Sequence, residues 1–175
     1  IKDRFTRVLR GHIELSSAIF PLGITGSQLD ILARKPLWEV GLDFDHGTGH
    51  GVGSFLGVHE GPQSISSRGS NTKLLPGMVL SNEPGYYKKN EFGIRIENLV
   101  EVIEIETPKS GERKLLGFRP LTLVPIDKAL INKSLLSKDD VDWLNSYHAL
   151  VLKQISPLVD KITEEWLIKQ TAPIQ

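Results

Sequence analysis

An α+β fold is predicted by three observations. Apolar residues recur at helical spacing over 2–40. Glycines and alternating apolar residues fill 41–126. Helical spacing returns after 137. Helices first, then strands, then helices is the order of an α+β chain with segregated elements.

The first helix is expected over 2–20, with Phe5, Val8, Leu9, Ile13 and Ile19 inward and Lys, Asp, Arg and Glu between them. Gly11 weakens it slightly, and Pro21 and Gly23 end it. Thr25 or Ser27 caps a second helix running to about Val40, carrying Leu29, Leu32, Ala33 and Leu37 on one face. Pro36 should kink or shorten it, and Gly41 closes it.

Residues 41–61 hold seven of the 16 glycines and three of the five histidines. Such a stretch is a strand with loops, because each interior glycine costs a helix about 1 kcal/mol against Ala. A strand is expected over 78–87 with a break at Pro84-Gly85, and one long strand over 94–105. Short strands follow at 114–118 and 121–126. Ser137, followed by Asp139, Asp140 and Asp142, caps a third helix with Val141, Leu144, Val151 and Ile155 as its stripe. Ser156-Pro157 starts a fourth, with Leu158, Ile162, Trp166 and Leu167 as its buried side.

Composition narrows the function. Lys+Arg and Asp+Glu both number 21, so the net charge is zero, which argues against a nucleic-acid binder. The longest apolar run is four residues, Ala149 to Leu152, so no membrane span is expected. The absence of Cys removes disulfides, thiol nucleophiles and Cys-ligated zinc, and fits a cytoplasmic protein. The chain begins at Ile1 without a charged-then-apolar leader, and it reads as a piece of a longer polypeptide.

Three motifs carry chemistry: His46-Gly-Thr-Gly-His50-Gly-Val-Gly followed by Val58-His59-Glu60-Gly61-Pro62, then Asn82-Glu83-Pro84-Gly85, then Gly93-Ile94-Arg95-Ile96-Glu97-Asn98. Strands around 78–87 and from 94 form a hairpin if the loop is centred on Asn90; facing residues then have numbers that sum to 180, and Glu83 faces Glu97. Like charges directly opposite on neighbouring strands are destabilising. A divalent ion between them reverses the sign, since hard cations take carboxylate oxygens. Alternation puts Arg95 on the face of Glu97, where its guanidinium can orient the carboxylate. Glu101, Glu104 and Glu106 read as solubilising charges.

The histidines cluster among glycines that let ligand or substrate approach the backbone, and neutral imidazole is the commonest metal ligand. His12 and His148 fall in helix patterns and read as structural or surface residues. A mixed His/Glu site without sulfur suits Mn, Fe, Co or Zn, and the residues do not choose among them.

The run from His46 to Pro62, then Asn-Glu83-Pro-Gly-Tyr-Tyr, then Phe-Gly-Ile-Arg95-Ile-Glu97-Asn, resembles aminopeptidase P, the Xaa-Pro aminopeptidases, relatives of prolidase and methionine aminopeptidase. The likeness continues through Pro120-Leu-Thr-Leu-Val-Pro-Ile to Asp142-Trp-Leu-Asn-Ser-Tyr-His and Glu165-Trp-Leu. It implies a partial pita-bread fold, a curved antiparallel sheet with flanking helices. Residues 1–126 would be the second half of the catalytic domain and 127–175 a C-terminal helical extension packed on it.

The resemblance also implies two divalent ions, usually Mn²⁺, with His50, Glu83 and Glu97 as ligands and Glu97 bridging. His46, His59 and Arg95 would contact substrate or stand beside the bridging carboxylate. Glu83 would move the proton and His59 would stabilise the tetrahedral oxygen. The implied reaction releases the N-terminal residue from peptides with proline second, in a cytoplasmic homodimer with no nucleic-acid or membrane partner. Two aspartate ligands of the family pattern have no match and are expected upstream of residue 1; Asp43 and Asp45 lie too close to His50, and Asp3 and Asp30 lie in helix patterns. A non-catalytic pita-bread module that binds a peptide or protein, and a prolidase-like dipeptidase, are the alternatives.

Overall fold

The computed structural model describes residues 1–55, 57–69 and 71–174. Among the described residues are four α-helices: α1 (Lys2–Ser16), α2 (Gly26–Trp38), α3 (Lys138–Ile155) and α4 (Lys161–Thr171). The same residues form the strands β1 (Phe20–Pro21), β2 (Gly49–His50), β3 (Ser64–Ile65), β4 (Val79–Asn82), β5 (Gly85–Lys88), β6 (Phe92–Arg95), β7 (Asn98–Ile105) and β8 (Leu115–Pro120). The main sheet has the order β1-β8-β7-β4, with every pair antiparallel. A bridge between Gly51 and Leu80 sets the β2–β3 pair against the free side of β4.

Helices α1 and α2 pack closely. A Cβ at Gly11 would collide with the Ala33 carbonyl oxygen, so the residue that weakens α1 as a helix is what allows the two helices to approach. Leu15, Leu29, Ala33, Leu80, Val100 and Leu116 form one core between these helices and the sheet. Phe5, Val8, Leu9 and Ile13 form a second core with Leu144, Tyr147 and Val151 of α3 and Leu167 of α4. Each fully buried leucine contributes roughly 1.5–3 kcal/mol by leaving water.

Several expectations need correction. Helix α1 stops at Ser16, and Ile19 is 61% exposed because the chain has already turned toward β1. Helix α2 passes through Pro36 but ends at Trp38, two residues short of Val40. The long strand over 94–105 is broken between β6 and β7. The reason lies opposite: Pro84 has no N–H to continue the ladder, and only its carbonyl accepts, from Ile96 N at 3.3 Å.

Residues 121–126 form no strand. Leu121 N still donates to the Leu99 carbonyl (2.8 Å), but further along α3 side chains take over, with Val124 N donating to the Tyr147 hydroxyl (3.3 Å) and Ile126 N to His148 Nε2 (3.0 Å). In the tail only Leu167 of the predicted stripe is buried; Leu158, Ile162 and Trp166 are exposed, since α4 meets α3 along Leu167 and Thr171.

His12 and His148 are both fully buried. Burial pushes the His12 imidazole down to about 4, and burial with the nearby Lys128 charge does the same for His148. His148 Nε2 accepts from Ile126 N, so a second ring proton would meet a donor. An unfolded histidine titrates near 6.5. Between the two values the unfolded chain binds the proton and the native chain does not. The stability due to each histidine is therefore complete above about pH 6.5 and is lost as pH falls toward 4, by roughly 3 kcal/mol per histidine. Urea unfolding between pH 7 and 4.5 should show this slope, and His148→Gln, which keeps an acceptor for Ile126, should reduce it by about half, leaving the part due to His12. An unchanged slope in that variant would remove His148 from the account.

Candidate metal centre

The hairpin register places the carboxylates. In β4–β7 the pairs run from Val79↔Glu101 to Asn82↔Asn98, and in β5–β6 from Gly85↔Arg95 to Lys88↔Phe92. All obey the sum of 180 expected for a turn centred on Asn90, whose φ of 62° is the left-handed conformation that Asn tolerates. Glu83 and Glu97 lie in the gap where the two ladders interrupt each other, so both are free of regular strand geometry.

His50 arrives from β2. A Cβ at Gly49 would collide with the Ser81 carbonyl oxygen, so glycine there is what lets β2 press against β4. His50 N then donates to Ser81 Oγ (3.0 Å), and Ser81 Oγ donates to Glu83 Oε1 (3.1 Å). Glu83 N donates to the Thr48 carbonyl at 2.7 Å, tying the glutamate to the histidine-bearing segment. Asn82 Nδ2 anchors the same strand end to α1, donating to the His12 carbonyl (3.0 Å) and Ser16 Oγ (2.8 Å).

One ligand atom each from His50, Glu83 and Glu97 lies within 4.8 Å of the other two. The His50 Nδ1 atom is 2.9 Å from the Gly51 carbonyl oxygen. Contact with a carbonyl places the ring proton on Nδ1 and leaves the Nε2 lone pair free, 3.4 Å from Glu83 Oε1. Two carboxylates and an imidazole lone pair that converge in this way fit a divalent ion of the Mn, Co or Zn type.

The surrounding residues line an open cleft of about 260 Å³ that includes His46, His50, His59, Glu83 and Arg95. The ring of His59 is 4.2 Å from that of His50, centroid to centroid. Arg95 needs a correction in emphasis. Its Nη1 is 3.4 Å from Glu83 Oε2, so the direct ion pair is with Glu83, while Glu97 feels it only through space.

Two members of the site were missed in the sequence. Ser81 links His50 to Glu83, as above. Tyr87 accepts from Arg95 Nε (2.9 Å) and sits 2.9 Å from His46 Nε2, so it joins the two residues assigned to substrate. The available signal was its neighbours: Gly85, and Gly93 paired across the hairpin, lack the side chains that would occupy its ring's space. Asp43 and Asp45 do not join the carboxylates; Asp43 pairs with Arg34 and Asp45 is exposed.

The model of metallopeptidase family M24 matches residues 1–104, and that of the C-terminal region of peptidase M24 matches 114–174. The chain belongs to metallopeptidase family M24. It is 55% identical over 176 residues to Aminopeptidase P2 of Arabidopsis thaliana and 51% identical over 175 residues to a probable Xaa-Pro aminopeptidase P of Coprinopsis cinerea. These alignments cover 99% and 97% of this chain but 25% and 28% of those proteins. Among solved structures, the X-prolyl aminopeptidase of Caenorhabditis elegans, described as a cytosolic enzyme with a di-nuclear active site, superposes with a TM-score of 0.92 at 47% identity, over 99% of this chain and 29% of that one. The prolidase of Pyrococcus furiosus gives 0.57 at 35% identity, over 71% of this chain and 33% of that one. The M24 chain thus has the α+β, partial pita-bread architecture that the motifs implied. No helix among the described residues is long and apolar enough to cross a membrane.

Proposed function

We propose that this chain supplies the His/Glu side of a dinuclear metal site that removes the N-terminal residue from peptides with proline in second position. The observation that carries the reading is the meeting of a His50 ring nitrogen with one carboxylate oxygen each of Glu83 and Glu97, all within 4.8 Å of one another. In support, His46, His59 and Arg95 surround the same cleft. Residues 1–126 act as part of the catalytic domain and 127–175 as an extension packed on it. Two ions and a cytoplasmic setting follow the description of the C. elegans relative as a cytosolic enzyme with a di-nuclear active site; Mn²⁺ as the metal and a homodimer are proposed from the family resemblance alone.

Bound divalent ions would polarise the scissile carbonyl and acidify an attacking water. Glu83, oriented by Ser81 and facing Arg95, takes the proton and returns it to the departing proline nitrogen. His59 lies beside His50 at the open cleft and donates to the oxygen that gains charge. His46, held against Tyr87, contacts the peptide.

The test is hydrolysis by the full-length protein of matched Xaa-Pro-Xaa and Xaa-Ala-Xaa peptides with Mn²⁺, before and after chelation. Metal-dependent cleavage restricted to the proline series is expected. Cleavage of Xaa-Pro dipeptides alone would favour the prolidase-like reading, and tight peptide binding without turnover would favour the binding module.

A further inference from the structure

Behind the cleft, helix α2 carries a buried ion pair that the proposed chemistry does not use. Asp30 is 2% and Arg34 5% exposed, one helical turn apart. All five guanidinium N–H groups of Arg34 have acceptors. Nε donates to Asp30 Oδ2 (2.7 Å) and Nη2 to Asp30 Oδ1 (3.4 Å). Nη1 donates to Asp43 Oδ1 (2.9 Å) and to the Phe44 carbonyl (2.6 Å), and Nη2 also donates to the His46 carbonyl (2.8 Å). The guanidinium carbon lies 4.0 Å from the centre of the Phe44 ring, which in turn contacts the His46 ring at 4.9 Å. Asp30 Oδ1 accepts from Thr48 Oγ1 at 2.6 Å, and the Thr48 carbonyl is the acceptor for Glu83 N.

Residues 43–48 have no regular structure, and Gly47 among them adds backbone freedom. A buried ion pair adds little to stability against an apolar alternative, because both charges leave water. What this one supplies is aim: one planar fork binds the backbone on both sides of Asp45, and its partner carboxylate binds the residue two positions after His46. We propose that Arg34 and Asp30 are positioning residues, which set the His46 imidazole toward the peptide from behind the cleft. The proposal rests on the reading of His46 as a substrate contact given above. No other side chain can replace the fork: Lys has three donors on a point charge and cannot span the same five acceptors.

The experiment is Arg34→Lys in the full-length protein, compared per folded molecule with wild type. The expected result is a fall in kcat/KM of about 100-fold, as for a reacting or binding group displaced by about 1 Å. Mn²⁺ affinity should fall far less than kcat/KM, since Ser81 still accepts from His50 N and donates to Glu83 Oε1 when the fork is lost. The ring ¹H–¹⁵N signals of His46 should shift or broaden. Thr48→Val, which keeps the charge pair and removes one donor to Asp30, carries the test if Arg34→Lys does not fold; about a tenfold loss is expected. Unchanged kcat/KM per folded molecule, unmoved His46 signals, or a loss that tracks Mn²⁺ release would each overturn the proposal. If wild type cleaves no Xaa-Pro peptide, the aminopeptidase reading fails, and the His46 signals alone then decide whether the fork positions that ring.

Discussion

Replacing Glu97 with Gln in the full-length protein should abolish most metal occupancy and most turnover, whereas Glu101→Gln should change neither by more than a few-fold. Glu97 and Glu101 lie close together in the chain and face different tasks. Glu97 converges with His50 and Glu83, at the one place where the β4–β7 and β5–β6 ladders both stop. Glu101 lies in the β4–β7 ladder opposite Val79 and pairs with Arg119 at the surface. Gln keeps the size of the side chain but removes a negative charge and one of the two carboxylate acceptors. Loss of an outer hydrogen-bond partner already costs metal sites about 10–100-fold in affinity, so loss of a ligand should exceed about 100-fold. A surface pair such as Glu101–Arg119 contributes about 0–1 kcal/mol, so its loss should go unnoticed in the assay. Isothermal titration with Mn²⁺, with circular dichroism to confirm folding, would check both. Equal losses from the two variants would mean that Glu97 is not a ligand.

The convergence of Glu83 and Glu97 was legible in the sequence because it depends on short-range order. Once the turn is centred on Asn90, the antiparallel register follows by arithmetic, and Glu83 and Glu97 come together. Pro84 marks the break, but no local pattern shows its effect on the opposite strand, at Ile96 and Glu97. The partner of Arg95 was misjudged for the same reason: regular alternation was carried through a gap where the backbone is not regular, and the guanidinium reaches Glu83. Ser81 and Arg34 were not found at all. Their roles depend on how β2 meets β4 and how α2 meets the segment before β2, and neither contact has a local pattern. The apolar spacing of Leu158, Ile162 and Trp166 predicted a buried face, but periodicity shows that a face is apolar and says nothing about what covers it.

The largest effect expected of all concerns this 175-residue chain tested by itself: it should be nearly inactive on Xaa-Pro peptides, even with Mn²⁺ in excess. Among the described residues the converging donors are one imidazole and two carboxylates. A hard divalent ion takes about six ligands, so water must complete the shell and affinity should be weak. A second ion would have little besides Glu97 to hold it. The charge balance points the same way. Two carboxylates offset a single dication, and Arg95, 3.4 Å from Glu83, takes up part of that negative charge. The two aspartates of the resembling family would supply both the missing ligands and the missing charge. The chain should therefore bind about one Mn²⁺ weakly and regain turnover only with the segment that carries those aspartates, supplied in cis or as a separate polypeptide. Side-by-side assays of the chain alone, the chain with that segment, and the full-length protein decide the matter. Turnover by the chain alone near that of the full-length protein would show that other groups, Asp43 or Asp45 among them, complete the site.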